Sequence, residues 1–386
     1  MKTVSLGNLI RPSATVRAGA ETYPVLSMTM HDGLMDQAAR FKKRIASDDL
    51  SSYKVIERGQ LVVGFPIDEG VLDFQDKYQR AVVSPAYGVW DLSGEPVDRY
   101  YLKRFLRSSQ ALHYYKTKLR GSTARRRSLP AGVFLGLPVP LPPLAEQRRI
   151  GAILDQADAL RAKRRKVISA LDELEQCAFE ATCDPSSPKQ TLRSLGVRFV
   201  SGKNVLASTP SASHDRNRVL RVNSISSGRF IASESKPMPA SYTPPEGHAV
   251  SRGDILFGRA SGSKDLLGAV AVVQQGVQDL FLPDKIWRAE LLPHGDLIPE
   301  YLIGLLRSVG AKEYIRHNAS GAAGVYNIAQ SKLLDLIVST PPLSRQQEFA
   351  ARVAAINAQR ELAERCLATL DEQFASLQSR AFSGQL

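Results

Sequence analysis

At roughly 100 to 200 residues per domain, a chain of 386 residues holds several domains that each bury a core, so a single small domain is excluded. Lys and Arg total 51 against 38 Asp and Glu, a net charge of +13, which favours an acidic polymer such as nucleic acid, or a membrane surface, as partner. Apolar residues make up 43%, no apolar run approaches the ~18 residues needed to span a bilayer, and three cysteines with no secretory-type start predict a reducing cytoplasm.

In chain order, residues 1–141 carry short β-branched runs such as Leu61-Val62-Val63 and Ala81-Val82-Val83, punctuated by Gly, Pro, Ser and Asp. This predicts a mixed, strand-rich globule. Residues 142–183 open on Pro142-Pro143, which can precede a helix but not lie inside one, and then run without proline into one long predicted helix. Residues 184–340 repeat the globular pattern, with Ala269-Val270-Ala271-Val272-Val273 as a strand, and residues 341–386 repeat the helix.

The chain therefore reads as a tandem duplication. Pro142-Pro143-Leu144 with Gln147 returns as Pro341-Pro342-Leu343 with Gln346, and Leu171-Asp172-Glu173 returns as Leu370-Asp371-Glu372. Tyr101-Leu102 and Leu106-Arg107-Ser108 return as Tyr301-Leu302 and Leu306-Arg307-Ser308, and Ser5-Leu6-Gly7 matches Ser194-Leu195-Gly196. The matches are collinear, which chance does not supply.

Both helices carry apolar residues at alternating three- and four-residue steps. In the first these are Ile150, Ile153, Ala157, Leu160, Val167, Leu171 and Leu174, with Leu154 and Ile168 beside the seam. In the second they are Phe349, Val353, Ile356, Ala363, Leu367, Leu370, Phe374, Leu377 and Ala381. Such seams predict coiled-coil pairing, broken only by Arg164 and Arg360, and the wide first stripe leaves room for a further partner. A helix from about 148 to 182 is ~52 Å long, longer than a ~35 to 40 Å globule. Because both helices must end at the second globule, the expected fold is α+β: two mixed α/β domains joined by two long antiparallel coiled-coil helices, as a pseudo-twofold tandem repeat.

The excess charge lies in the globules. Residues 1–143 hold 21 Lys/Arg against 13 Asp/Glu and residues 183–343 hold 18 against 13, whereas each helix balances. Two basic heads on a rod suit a reader of two DNA segments. Candidate DNA contacts in the first head are Lys42, Lys43, Arg44, Tyr53, Lys54, Lys77, Tyr78, Arg80, Arg125, Arg126 and Arg127. In the second they are Arg216, Arg218, Arg221, Asn223, Arg259, Ser261, Ser263, Lys264, Lys285, Arg288, His317 and Ser320. Gly and Ser allow close approach to phosphate, Arg reads guanine bidentately and Asn reads adenine. The basic run Arg161 to Lys166 sits on a neutral helix and reads as a solvated or partner-facing surface. Cys177 and Cys366 read as packing residues. Neither a nucleotide-binding glycine motif, nor a methyltransferase motif, nor metal-ligand spacing among His and Cys is present, so a non-catalytic chain with no metal or cofactor of its own is expected.

The run Leu137-Pro138-Val139-Pro140-Leu141-Pro142-Pro143-Leu144-Ala145-Glu146-Gln147-Arg148-Arg149-Ile150, with Ile153-Leu154-Asp155 and Ala159-Leu160-Arg161 after it, resembles the conserved region of type I restriction-modification specificity subunits. Phe41 to Ser47 and Val83-Ser84-Pro85-Ala86-Tyr87 add to the likeness, whereas Arg345 and Gln347 depart from the first copy's Glu146 and Arg148. The resemblance implies two target-recognition domains (1–141 and 184–340) and two spacer helices (142–183 and 341–386). It implies a bipartite double-stranded DNA target with unlike halves, two methyltransferase subunits docked on the helices, and restriction/translocase subunits completing the complex. S-adenosylmethionine, ATP and Mg belong to those partners. The competing reading is a free-standing two-headed DNA-binding regulator.

Overall fold

In a computed structural model the described residues are 1–29, 33–37, 49–119, 129–184, 186–205, 217–239, 241–293, 295–321 and 324–386. Candidates Lys42, Lys43, Arg44, Arg125, Arg126, Arg127 and Arg216 lie outside them. The chain divides into two units, residues 1–165 with 365–386, and residues 166–364. Each unit holds one globule and a part of each long helix, Leu144–Thr182 and Leu343–Ser383. No described helix is long and apolar enough to cross a membrane.

In the first unit, strand Lys2–Ser5 pairs antiparallel with Pro138–Leu141, the strand that leads into the first long helix. A four-stranded sheet orders Ile10–Pro12, Gly88–Leu92, Leu61–Val63 and Leu72–Phe74, and a smaller one orders Val16–Arg17, Lys54–Glu57 and Arg80–Val83. Helices Arg99–Leu106 and Ser109–Lys118 follow, started by Asp98 and Ser108, whose side chains accept from backbone N–H groups of the first turn. Tyr101, Leu102, Phe105 and Leu106 are buried in one core with Ile150 and Leu154 of the first long helix and Ala381 and Phe382 of the second.

The second unit repeats this plan. Lys189–Thr191 pairs with Ile337–Ser339, a four-stranded sheet orders Val197–Ser201, Ile286–Leu291, Ile255–Gly258 and Val270–Val272, and helices Pro299–Arg307 and Val309–His317 follow. Its core joins Tyr301, Leu302, Leu305 and Leu306 to Phe179 and Phe349 of the long helices. Gly304 is required there, because a Cβ would lie 2.7 Å from the Phe349 ring and 2.8 Å from that of Phe179.

The duplicated residues do duplicated work. The Tyr101 hydroxyl donates to the Pro140 carbonyl at 2.7 Å, and that of Tyr301 to Ser339 at 3.1 Å. Burial raises both phenols above their ordinary pKa. Ser108 and Ser308 accept from the N–H of Ala111 and Ala311. Gln147, 1% exposed, donates to the Pro142 carbonyl at 2.9 Å and accepts from the Asp98 N–H at 2.8 Å. Gln346, fully buried, donates to the carbonyls of Pro341 and Asp296 and accepts from the Ile298 N–H at 3.1 Å. The Pro-Pro-Leu-x-x-Gln motif is thus a clamp that ties the start of each long helix to the start of a globular helix in its own unit.

Within each unit the two long-helix segments run antiparallel. In the first, Arg149 donates to the carbonyl of Leu386 and Arg161 pairs with Asp371; in the second, Glu175 pairs with Arg360 and the Phe179 and Phe349 rings meet at 5.7 Å. The second helix buries or half-buries its whole expected seam. The first does not: Leu160, Val167 and Leu174 are 53%, 43% and 51% exposed, whereas Leu154 is buried and Arg161, Ile168 and Glu175 are half-buried. Ile150, Ile153, Ala157 and Leu171 keep the expected face, and at the other three positions the next residue takes over, Arg161 and Glu175 carrying ion pairs to the other helix. Cys177 also departs from expectation, being exposed rather than packed.

Candidate nucleic-acid interface

In the first unit, Lys54 begins the middle strand of the three-stranded sheet, opposite Arg17 on one side and Val83 on the other. Its ammonium donates to the Tyr87 carbonyl at 2.6 Å, and burial, then the charge of Arg17, lowers its pKa. Arg17 is exposed and has no partner among the described residues; its pairing with Lys54 was invisible to a search for clustered charges. At the far end of the same strand pair Arg80 is exposed and ion-paired with Glu57 at 3.1 Å. Tyr53 is half-buried. Lys77 is exposed, its ammonium 3.5 Å from the Met35 sulfur, and the Tyr78 hydroxyl donates to Asp36 at 2.5 Å, a bond that raises the phenol's pKa.

In the second unit, two candidate arginines are used up by the fold. Arg218 donates to the hydroxyl and carbonyl of Ser235. Arg288 donates to the carbonyls of Ala249 and Gly247 and pairs with Glu290 and Asp254. Burial works against the Glu290 carboxylate, yet hydrogen bonds from Arg198 and Arg288 hold its pKa below the ordinary value. Arg221 and Asn223 are exposed at the short turn Val222–Ser224, and His317 is exposed at a helix end.

The remaining candidates come together. Strand Ala260–Ser261 pairs antiparallel with Tyr326–Asn327, with Ala260 opposite Asn327 and Ser261 opposite Tyr326. The Arg259 N–H donates to the Lys285 carbonyl, and its guanidinium lies 5.7 Å from the centre of the Trp287 ring. Ser263 donates its N–H to the Ser261 hydroxyl, the exposed Lys264 ammonium lies 5.3 Å over the Tyr326 ring, and Ser320 exchanges two backbone bonds with Asn327. Arg259, Ser261, Ser263, Lys264, Lys285 and Ser320 therefore share one edge, joined by Tyr326 and Asn327. Sequence reading missed those two, since Val325-Tyr326-Asn327 carries no charge.

Each globule is fastened to its helix segments by arginine. Arg104 donates to Asp155 at 2.7 Å and Asp158 at 2.6 Å, and Arg161 joins Asp158 to Asp371 while lying 4.2 Å over the Phe374 ring. Part of the basic run Arg161 to Lys166 is thus spent on helix pairing, with Arg165 adding a 3.4 Å contact to Asp371. In the second unit Arg307 and Arg360 both pair with Glu175, and Arg360 with Asp172. They line a cleft of about 770 Å³ in which Arg229 is also paired, with Glu364. Among the described residues no group of three or more His, Cys, Asp or Glu is placed to hold a metal ion.

Burial opposes the Asp158 charge, but the hydrogen bond and charge of Arg104, with Arg161 and Arg107, leave its pKa lowered. A lowered folded-state pKa contributes stability that is complete above the unfolded value, ~3.9 for Asp, and is lost as pH falls through the folded value. The stability gap between wild type and Asp158→Asn is accordingly expected to be constant from pH 7 to 5 and to shrink below about pH 4. Denaturant melts across that range check it; a gap that widens in acid would contradict it.

No family model matches the chain. It is 24% identical over 306 residues to the type I restriction enzyme EcoKI specificity subunit of Escherichia coli strain K12, covering 74% of this chain and 65% of that one, so the match spans less than two thirds of the relative's length. It is 30% identical over 145 residues to the EcoEI specificity subunit of Escherichia coli, covering 37% of this chain and 24% of that one. Among solved structures, a chain from a study of assembly and conformational transition of the type I R-M system superimposes with a TM-score of 0.52 at 14% identity, covering 100% of this chain and 98% of that one. The S subunit of a type I restriction-modification system from M. genitalium gives 0.51 at 11% identity, covering 99% and 96%. At such identities the structural likeness is one of fold. Over 74% of its length the chain is thus similar in sequence to a type I restriction enzyme specificity subunit, and over all of it its fold is like that of the solved chain from the type I R-M system.

Proposed function

We propose that this chain is the DNA-specificity subunit of a type I restriction-modification complex, with each globule reading one half of an asymmetric bipartite sequence. The observation that carries the reading is the duplication itself: two basic globules, each clamped by its own buried glutamine to the start of a long helix, with both helices shared between the units. In this reading the antiparallel helices hold the two recognition domains, related by a pseudo-twofold axis, at a fixed separation along one duplex. Modification and cleavage reside in two methyltransferase subunits and in restriction/translocase subunits, which bring S-adenosylmethionine, ATP and Mg, and the assembly works in the cytoplasm. This chain supplies the address and performs no chemistry.

The exposed row Leu160, Val167 and Leu174, every seventh residue on one helix face, is the methyltransferase docking surface in this reading. Replacing all three by Glu is expected to leave helix pairing and thermal stability within a few degrees of wild type, because none is buried, and to abolish co-purification with the methyltransferase subunits. Co-purification at the wild-type level would contradict the docking assignment.

A further inference from the structure

Building on that DNA-specificity reading, we infer that strand Tyr326–Asn327, backed by the buried strand Ala260–Ser261, carries a base-reading group of the second unit, with the Asn327 amide as an adenine reader. An asparagine side chain matches the donor and acceptor that adenine presents in the major groove. The backbone of Asn327 is fixed on both sides. It faces Ala260 across the ribbon, exchanges N–H and C=O bonds of 2.8 Å each with Ser320, and the next N–H, of Ile328, donates to the Arg259 carbonyl at 3.0 Å. Reading groups work best on a backbone held this way.

Ile328 beside it is 1% exposed and Ala260 opposite it 2%, whereas Asn327 itself keeps part of its surface open to solvent. Its amide has no hydrogen-bond partner among the described residues and the residue is half-buried, so it is positioned and unspent. No side chain fits at Gly321, next to Ser320: its φ is +116°, and a Cβ would lie 2.1 Å from the Val325 carbonyl oxygen. Beside the ribbon stands a cation. The exposed Lys264 ammonium, over the Tyr326 ring, is placed to meet phosphate without specifying sequence.

The test uses the full chain in complex with its methyltransferase and duplexes carrying the wild-type recognition sequence or each of its single-base-pair variants. Asn327→Ala removes only side-chain atoms from a ribbon held by backbone bonds. It is expected to weaken binding to the intact sequence roughly tenfold to a hundredfold. Changing one A·T pair in one half-site should cost the wild type a similar factor and the variant nothing. Lys264→Ala should weaken binding to every duplex alike and lower the salt slope by about one. The inference is overturned if Asn327→Ala discriminates all duplexes as wild type does, or loses affinity with no one base pair accounting for it; the DNA-specificity reading survives either result. Failure of the wild-type complex to prefer any bipartite sequence would remove that reading itself.

Discussion

Deleting both cations that face Glu175, as Arg307→Ala with Arg360→Ala, is expected to destabilise the second unit by about 5 kcal/mol, more than the two single effects added together. The Glu175 side chain is only 13% exposed, and its two oxygens are divided between Arg307 at 3.0 Å and Arg360 at 2.7 Å. Either single change leaves the carboxylate one partner; the double change leaves a desolvated charge with none. Arg307 also donates to the carbonyls of Gly228 and Val270, so its removal loosens the globule where it meets the helices. Adding Glu175→Gln to the double variant should recover much of the loss by removing the stranded charge. Denaturant midpoints of the four variants measure this, and strict additivity with no recovery would show that Glu175 is not the focus of the network.

Gln147→Ala is expected to cost the first unit ~2 to 4 kcal/mol, and Gln346→Ala the second a similar amount. Each glutamine joins a proline carbonyl before its long helix to the N–H at the start of a globular helix, out of contact with water. Truncation leaves at least one part-buried donor and one buried acceptor without the partner each has now. Hydrogen exchange should show the first turn of the affected long helix losing protection in one unit and not in the other. Equal loss in both, or in neither, would contradict the clamp.

The duplication, the helix starts and the mixed α/β globules were legible because they rest on local signals. Pro142-Pro143 and Pro341-Pro342 stop one element before the next begins, and Leu61 to Val63 and Val270 to Val272 are strands where their β-branched runs predict them. The pairing face of the first helix was legible only in part: Ile150, Ile153, Leu154, Ala157, Ile168 and Leu171 are buried or half-buried, whereas Leu160, Val167 and Leu174 are exposed. Apolar periodicity selects Leu160, Val167 and Leu174, but Arg161 and Glu175 find opposite charges on the other helix and turn the contact by one residue there. Periodicity counts side chains and cannot see their partners. The same limit applies to the candidate interface. Arg218 and Arg288 look identical in sequence to Arg221 and Arg259, and only the placement of Ser235, Glu290 and Asp254 reveals that the fold already uses the first two. Asn327 gains its position from strand pairing with Ala260, a contact 67 residues distant in the chain, which no local pattern encodes.

Whether two heads are held apart at a fixed distance is tested most directly by spacer length. Duplexes carrying both half-sites, with the gap lengthened or shortened by single base pairs, are offered to the complete complex, and binding and adenine methylation are read for each. One added pair moves a half-site by about 3.4 Å and rotates it about the helix axis. One gap length should be favoured, with a loss of at least tenfold on either side. Equal activity across several gap lengths, or full activity on either half-site alone, would contradict recognition by two domains fixed on paired helices.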